Sequence, residues 1–338
     1  MEKNYHEKNG NALYIINILK KYSDEDHMLS ITDIIKYIKD IYGVTNDRRT
    51  IERNIELLND KLDYDIQISK VHNKNFYYLL SNPDTDFEPG EIRAIIDTFS
   101  YATFIPETIS NEIINKCRNM QTIYENEKIK DYQIYSNNIK TNNMDIIKNI
   151  EDINSAIYNK KMITFDYYKY ELKPTLKNVL TDTYKVSPYS IIYSIQELYL
   201  IALKHGENEL KKFRIDRMKN INILDTDASK IIKKDDINEI VKASISMYGG
   251  KGEDIEVICS NTLLNNAIEV FGKDIKITKY DENRFKLVMN KDIDSFKYYV
   301  LRNIEYIEII KPVKLKNEIE RILKDYLGRW FYDIKRSK

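Results

Sequence analysis

The chain has 338 residues, 42% hydrophobic and 31% charged, the balance of a folded protein long enough for two or three domains. Its 53 Lys+Arg are matched by 53 Asp+Glu, so no global field draws it to polyanions, and nucleic-acid contact has to come from a local patch. The two cysteines, Cys117 and Cys259, exclude a disulfide framework and a cysteine zinc site, and no apolar run approaches the roughly 20 residues of a membrane span. The opening "MEKNYHEKNGN" is too polar for a secretory leader, so a cytoplasmic chain with no membrane partner, metal or cofactor is expected. Its 27 tyrosines, with abundant Ile, Asn and Lys, look like the codon bias of an AT-rich genome, so a single tyrosine carries little functional signal.

In chain order, "NALYIINILKKY" (11 to 22) has a helical pattern at Leu13, Ile15, Ile16 and Leu19. "SITD" (Ser30 to Asp33) reads as a capping box opening a second helix that Gly43 stops. A third helix follows, capped by Asn46 or Asp47, with Ile51, Ile55, Leu58 and Leu62 on one face. Arg49 and Arg53 fall on the opposite face, with Arg48 at its flank. "YDIQISKVHNKNFYYLL" reads as a hairpin turning at "HNKN". Three helices and a hairpin make a winged helix-turn-helix pattern over residues 1–80, with the third helix in the recognition position.

Residues 81–140 contain two predicted helices, "FEPGEIRAIIDTFSYA" and "PETISNEIINKCRNMQTIY", then a polar stretch, "ENEKIKDYQIYSNNIKTNN", read as linker. Over 141–228 a helix from Met144 leads into the strands "MITFDYY", "TYKVSPYSIIY", "ELYLIALKH" and "ELKKFRID", the pattern of a small barrel or strongly curved sheet. Residues 229–338 alternate as βαββαβ with a closing helix, the order of a ferredoxin-like unit. The expected class is therefore α+β multidomain.

Three stretches in this order resemble the WYL-domain transcriptional regulators of bacteria. "DRRTIERNI" (47 to 55) is similar to their recognition helix, "VSPYSIIYSIQELYLIAL" (186 to 203) to the barrel signature, and "FRIDRM" (213 to 218) to the strand after it. Leu198 stands where the family has its Trp, and Asp47 occupies a Ser slot. The resemblance implies a homodimeric DNA-binding regulator with a small Sm-like β-barrel (the WYL domain) that senses a nucleotide or oligonucleotide. It also implies that the tail domain helps form the dimer or the ligand site, and the homodimer is expected to form through the helical linker (83 to 130) and the carboxy-terminal unit.

Arg48, Arg49, Thr50, Arg53 and Asn54 are the expected contacts to double-stranded DNA, because guanidinium takes guanine O6 and N7 together. The alternative is a solvated face whose arginines pair with Glu52 and Glu56. Residues 1–80 hold 12 Lys+Arg against 13 Asp+Glu, a balance that favours that alternative. In "KKFRIDR", alternation sends Lys212, Arg214 and Asp216 to one face of a strand. Arg214 and Arg217 are the expected anchors for an anionic ligand, Tyr167 and Tyr199 its stacking surfaces, and Lys212 and Ser187 further candidates. The competing reading is an exposed strand with a structural Arg–Asp pair. For an enzyme there is little: His6, His27, His72 and His205 are scattered, and "GGKGED" (249 to 254) lacks the phosphate-loop spacing and reads as a turn. A further alternative is a nucleotide-binding sensor module whose winged helix makes protein contacts only.

Overall fold

The computed structural model describes residues 10–80, 86–130, 139–173, 175–194, 197–229, 237–238, 242, 252–272 and 275–336. Helices and antiparallel sheets are mixed throughout, in two compact units, Met1–Met144 and Asp145–Lys338. The N-terminal His6 and the Gly249–Lys251 part of "GGKGED" lie outside the described residues.

The first unit opens with α1 (Asn11–Tyr22), whose buried stripe is Ile15, Ile16, Ile18 and Leu19. Leu13, expected in that stripe, is exposed, because it lies roughly 200° around the helix from Ile15. After β1 (Leu29–Ser30), α2 (Ile31–Tyr42) starts on a capping box: Asp33 N–H donates to Ser30 Oγ at 3.2 Å and Ser30 N–H to Asp33 Oδ2 at 3.0 Å. Gly43 ends it at φ +72°, a left-handed conformation that glycine adopts without a Cβ penalty.

Helix α3 (Arg48–Leu62) buries Ile51, Ile55 and Leu58, but Leu62 points out. The sequence stripe runs one turn too far because the chain turns away at Asp63, which takes a positive φ. β2 (Ile66–Val71) and β3 (Lys74–Leu79) pair through a two-residue turn in which His72 and Asn73 both have positive φ, as a type I′ hairpin turn requires. β1 joins the far side of β3, and one core collects Ile15, Leu19, Ile34, Ile38, Ile51 and Tyr77.

Helices α4 (Pro89–Tyr101), α5 (Glu107–Arg118) and α6 (Ile123–Lys130) share a separate small core of Ile92, Ile96, Ile114 and Ile129. The third of these occupies part of the stretch read as linker: Ile129 has an apolar partner to bury against, which outweighs the polar composition around it. The α4 end is closed by a distant residue, Lys140, whose ammonium donates to the carbonyls of Phe99 (2.9 Å) and Ala102 (2.8 Å).

In the second unit α7 (Ile146–Tyr158) lies against a five-stranded sheet of order β7-β6-β5-β4-β8. Its strands are β4 (Lys161–Lys173), β5 (Thr175–Ser194), β6 (Glu197–Lys204), β7 (Leu210–Arg214) and β8 (Met218–Asp227). The end strands β7 and β8 share no ladder among the described residues, and one 3-10 turn, Ile215–Arg217, joins them. β4 and β5 are longer than the sequence runs suggest, continuing as a ribbon on which Tyr170, Leu172 and Leu180 are exposed. Backbone pairing carries that ribbon where the hydrophobic pattern does not mark it.

The remaining elements follow the order β9 (Glu253–Ser260), α8 (Leu264–Phe271), β10 (Lys276–Lys279), β11 (Arg284–Lys291), α9 (Ile293–Arg302), β12 (Ile307–Lys311) and α10 (Val313–Arg336). They form a four-stranded antiparallel sheet of order β10-β11-β9-β12 over a core including Val257, Leu287, Phe296 and Leu315. Cys259 sits in this core, where burial pushes its thiol pKa up to about 12. Among the described residues no helix is long and apolar enough to cross a membrane, and no group of three His, Cys, Asp or Glu side chains is placed to hold a metal ion.

Candidate functional site

Each unit carries one of the expected constellations. In the first, Asp47 and not Asn46 caps α3: its carboxylate accepts from Thr50 N–H at 2.8 Å and from the Thr50 hydroxyl at 3.0 Å. The Asn46 amide instead donates to Asn11 at 3.0 Å. Cap and buried stripe together fix the rotation of α3, and this brings Arg48, Arg49 and Arg53 to the surface. Arg48 donates from Nε to Glu52 at 2.9 Å, an exposed i,i+4 pair. Among the described residues Arg49 and Arg53 have no hydrogen-bond or ion-pair partner. Thr50 is occupied with its cap and Asn54 donates to the Thr50 carbonyl at 2.8 Å, so the five expected contacts divide into two unpaired guanidiniums and three groups engaged within their own helix.

In the second unit the strand alternation expected through Asp216 stops at Arg214, because Ile215–Arg217 turns into 3-10 helix. That turn folds Asp216 back onto Arg214. The guanidinium donates to it from Nε at 3.0 Å and Nη2 at 2.8 Å, a two-point pair. Nη2 also meets Glu197 Oε1 at 2.5 Å. Burial alone would lower the Arg214 pKa, but the Asp216 and Glu197 carboxylates outweigh it and raise it. Two carboxylates thus surround one cation, so Arg214 is a strut between β6 and the 3-10 turn and not a free anion anchor. Glu197 was not singled out from the sequence. Its signal was the register, since Tyr199 pairs with Arg214 and Glu197 lies two residues away on the same sheet face.

Tyr167 is buried, its ring packed edge-on against Phe165 (6.3 Å between centroids) and Phe213 (5.7 Å), and its hydroxyl accepts from Arg214 N–H at 3.2 Å. Burial raises its pKa, opposed by that N–H and by the charge of Arg217. It is a core ring and has no face free to stack a base. Ser187 is fully buried, accepting from Ser229 N–H at 2.9 Å. Tyr199 is half-buried beside Ile201 and Ile237. Lys212 is half-buried; desolvation lowers its pKa against the charge of Asp292. Arg217 has no hydrogen-bond or ion-pair partner among the described residues. Of the candidate cations, Arg217 is therefore the one without a hydrogen-bond or ion-pair partner among the described residues, and Lys212 lies within the field of Asp292.

Residues 148–223 match the WYL domain model, a span running from α7 into β8, so the chain carries a WYL domain. No curated protein matches the chain. Among solved structures, one similar chain is proteasome accessory factor B/C (PafBC) of Arthrobacter aurescens, at 12% identity and a TM-score of 0.26. The alignment covers 94% of this chain and only 46% of that one. Another is a CRISPR Cas-related protein, at 14% identity and a TM-score of 0.37, covering 97% of this chain and 86% of that one.

Proposed function

We propose that the chain is a ligand-responsive, homodimeric DNA-binding transcriptional regulator, not an enzyme. In this reading residues 1–80 are a winged helix-turn-helix, 141–228 a small Sm-like barrel that senses a nucleotide or oligonucleotide, and 229–338 a ferredoxin-like extension. The carrying observation is the pair Arg49 and Arg53: exposed, unpaired among the described residues, and held opposite the buried stripe of a capped helix beside a hairpin. The WYL match supports the sensing half of the reading. A helix so placed inserts into the major groove while the hairpin approaches the backbone.

The experiment is fluorescence anisotropy of the full chain on DNA from upstream of its own gene. Arg49→Ala and Arg53→Ala are each expected to weaken specific binding by about 1–3 kcal/mol, and each lowers the salt slope by about 1 where the lost contact is to phosphate. Wild-type binding by both variants would remove α3 from the interface.

A second reading, a nucleotide sensor whose winged helix makes protein contacts, is favoured by one observation. Leu57 and Leu62 are exposed on α3 and Ile68 on β2, in a region without net positive charge. In that case no duplex binds above the background of a scrambled sequence.

A further inference from the structure

The first unit contains a cleft of about 1040 Å³, at the upper limit of small-molecule sites, that neither candidate site uses. Lys20 and Lys21 at the end of α1 line one side; Arg118 at the end of α5 and Asn126 in α6 line the other. Two buried polar groups among the residues that line it have no hydrogen-bond partner among the described residues. Arg118 Nε and Nη2 are shielded from solvent without an acceptor, and Asn126 Oδ1 without a donor.

A guanidinium that gives up water on two nitrogens with no acceptor in return is destabilising, so such groups are normally paired. Of the four carboxylates lining the cleft, Glu25 is exposed and the other three are engaged. Asp24 accepts from His27 Nδ1 and from two backbone N–H groups, Glu125 holds Lys128 at 2.7 Å, and Asp86 faces Lys20 at 3.9 Å. What remains besides Glu25 is a two-nitrogen fork, with the Lys21 side chain lining the same cleft, and one acceptor. Nε and an Nη present parallel N–H groups that fit two oxygens of one carboxylate or phosphate. Asn126 Oδ1 calls for a hydroxyl or amine.

We propose that this cleft binds a small organic oxyanion that also carries a hydroxyl or amine, held by Arg118 through two oxygens and by Asn126 through the donor. The ligand would bridge the end of α1 to the α5–α6 turn.

The test is thermal unfolding of the full chain at constant ionic strength against inorganic phosphate, ribose 5-phosphate, acetate and lactate, with chloride as reference. The expected result is a saturable rise in Tm with either the phosphates or the carboxylates, whichever class the fork selects. Within that class the hydroxylated probe should act at about tenfold lower concentration than the bare anion. Arg118→Gln abolishes the rise, Arg118→Lys shifts it at least about tenfold because ammonium cannot form the fork, and Asn126→Leu removes only the preference for the hydroxylated probe. If no probe exceeds chloride, or if Arg118→Gln responds as the wild type does, the proposal is overturned. Should Arg118→Gln fail to fold, the Arg118→Lys and Asn126→Leu shifts decide alone.

Discussion

Arg214 and Arg217 lie three residues apart and call for opposite experimental signatures. Removing the Arg214 guanidinium leaves Glu197 and Asp216 facing each other, with side chains only 14% and 8% exposed. Arg214→Ala is expected to cost about 2–3 kcal/mol in urea unfolding, because both carboxylates lose the cation they share. Arg217→Ala breaks no ion pair among the described residues and should change stability by less than about 0.5 kcal/mol while removing affinity for single-stranded oligonucleotides in calorimetry. Undiminished binding by Arg217→Ala would place the sensor site elsewhere. Lys212 makes a pH prediction. Desolvation puts its folded pKa below the ordinary lysine value of 10.5, so folding carries a penalty for the charged form at neutral pH. That penalty is relieved as pH rises through the folded pKa. Wild type should therefore gain stability relative to Lys212→Met between neutral pH and about pH 10, and a constant difference across that range would contradict the desolvation.

The elements of the first unit are set by their ends. Ser30, Gly43 and Asp47 terminate or start helices through hydrogen bonds that depend on residues three or four positions away, which is why they are readable locally. Asp47 also places a negative charge at the start of α3, beside Arg48 and Arg49, where a DNA phosphate is proposed to approach. Asp47→Ser keeps a capping oxygen and deletes that charge. Its Tm is expected to stay within about 1 °C while its affinity for nonspecific duplex rises, whereas Asp47→Ala should lose about 1 kcal/mol of stability. Weaker duplex binding by Asp47→Ser would show that the carboxylate itself contributes to recognition.

For the whole molecule, zero formal charge means that binding to nucleic acid has to be concentrated in a few side chains, and a single winged helix reaches only a few base pairs. Two copies related by a two-fold axis double the contacts and match a symmetric operator. Light scattering on the full chain is expected to give twice the 40.2 kDa chain mass at micromolar concentration. A monomer there would count against the regulator reading.

Periodicity, caps and turn residues were sufficient, from the sequence, for the helices around Ile15, Ile34 and Ile51, the His72–Asn73 hairpin turn and the alternation of strands and helices after Asp254. Each rests on interactions spanning a few residues. The tertiary structure decided what depends on distant partners. It turned Leu13 and Leu62 outward, made a helix of the stretch around Ile129 and extended β4 and β5 into a ribbon. It also changed the standing of the candidate ligand residues: Tyr167 and Ser187 went into the interior, and Arg214 went to Glu197 and Asp216, so Tyr199, Lys212 and Arg217 are the candidates still at the surface. Alternation predicts which face of a strand a cation takes. Whether a carboxylate meets it there is set by a neighbouring strand and a turn, and neither position is encoded in the spacing of the cation's own neighbours.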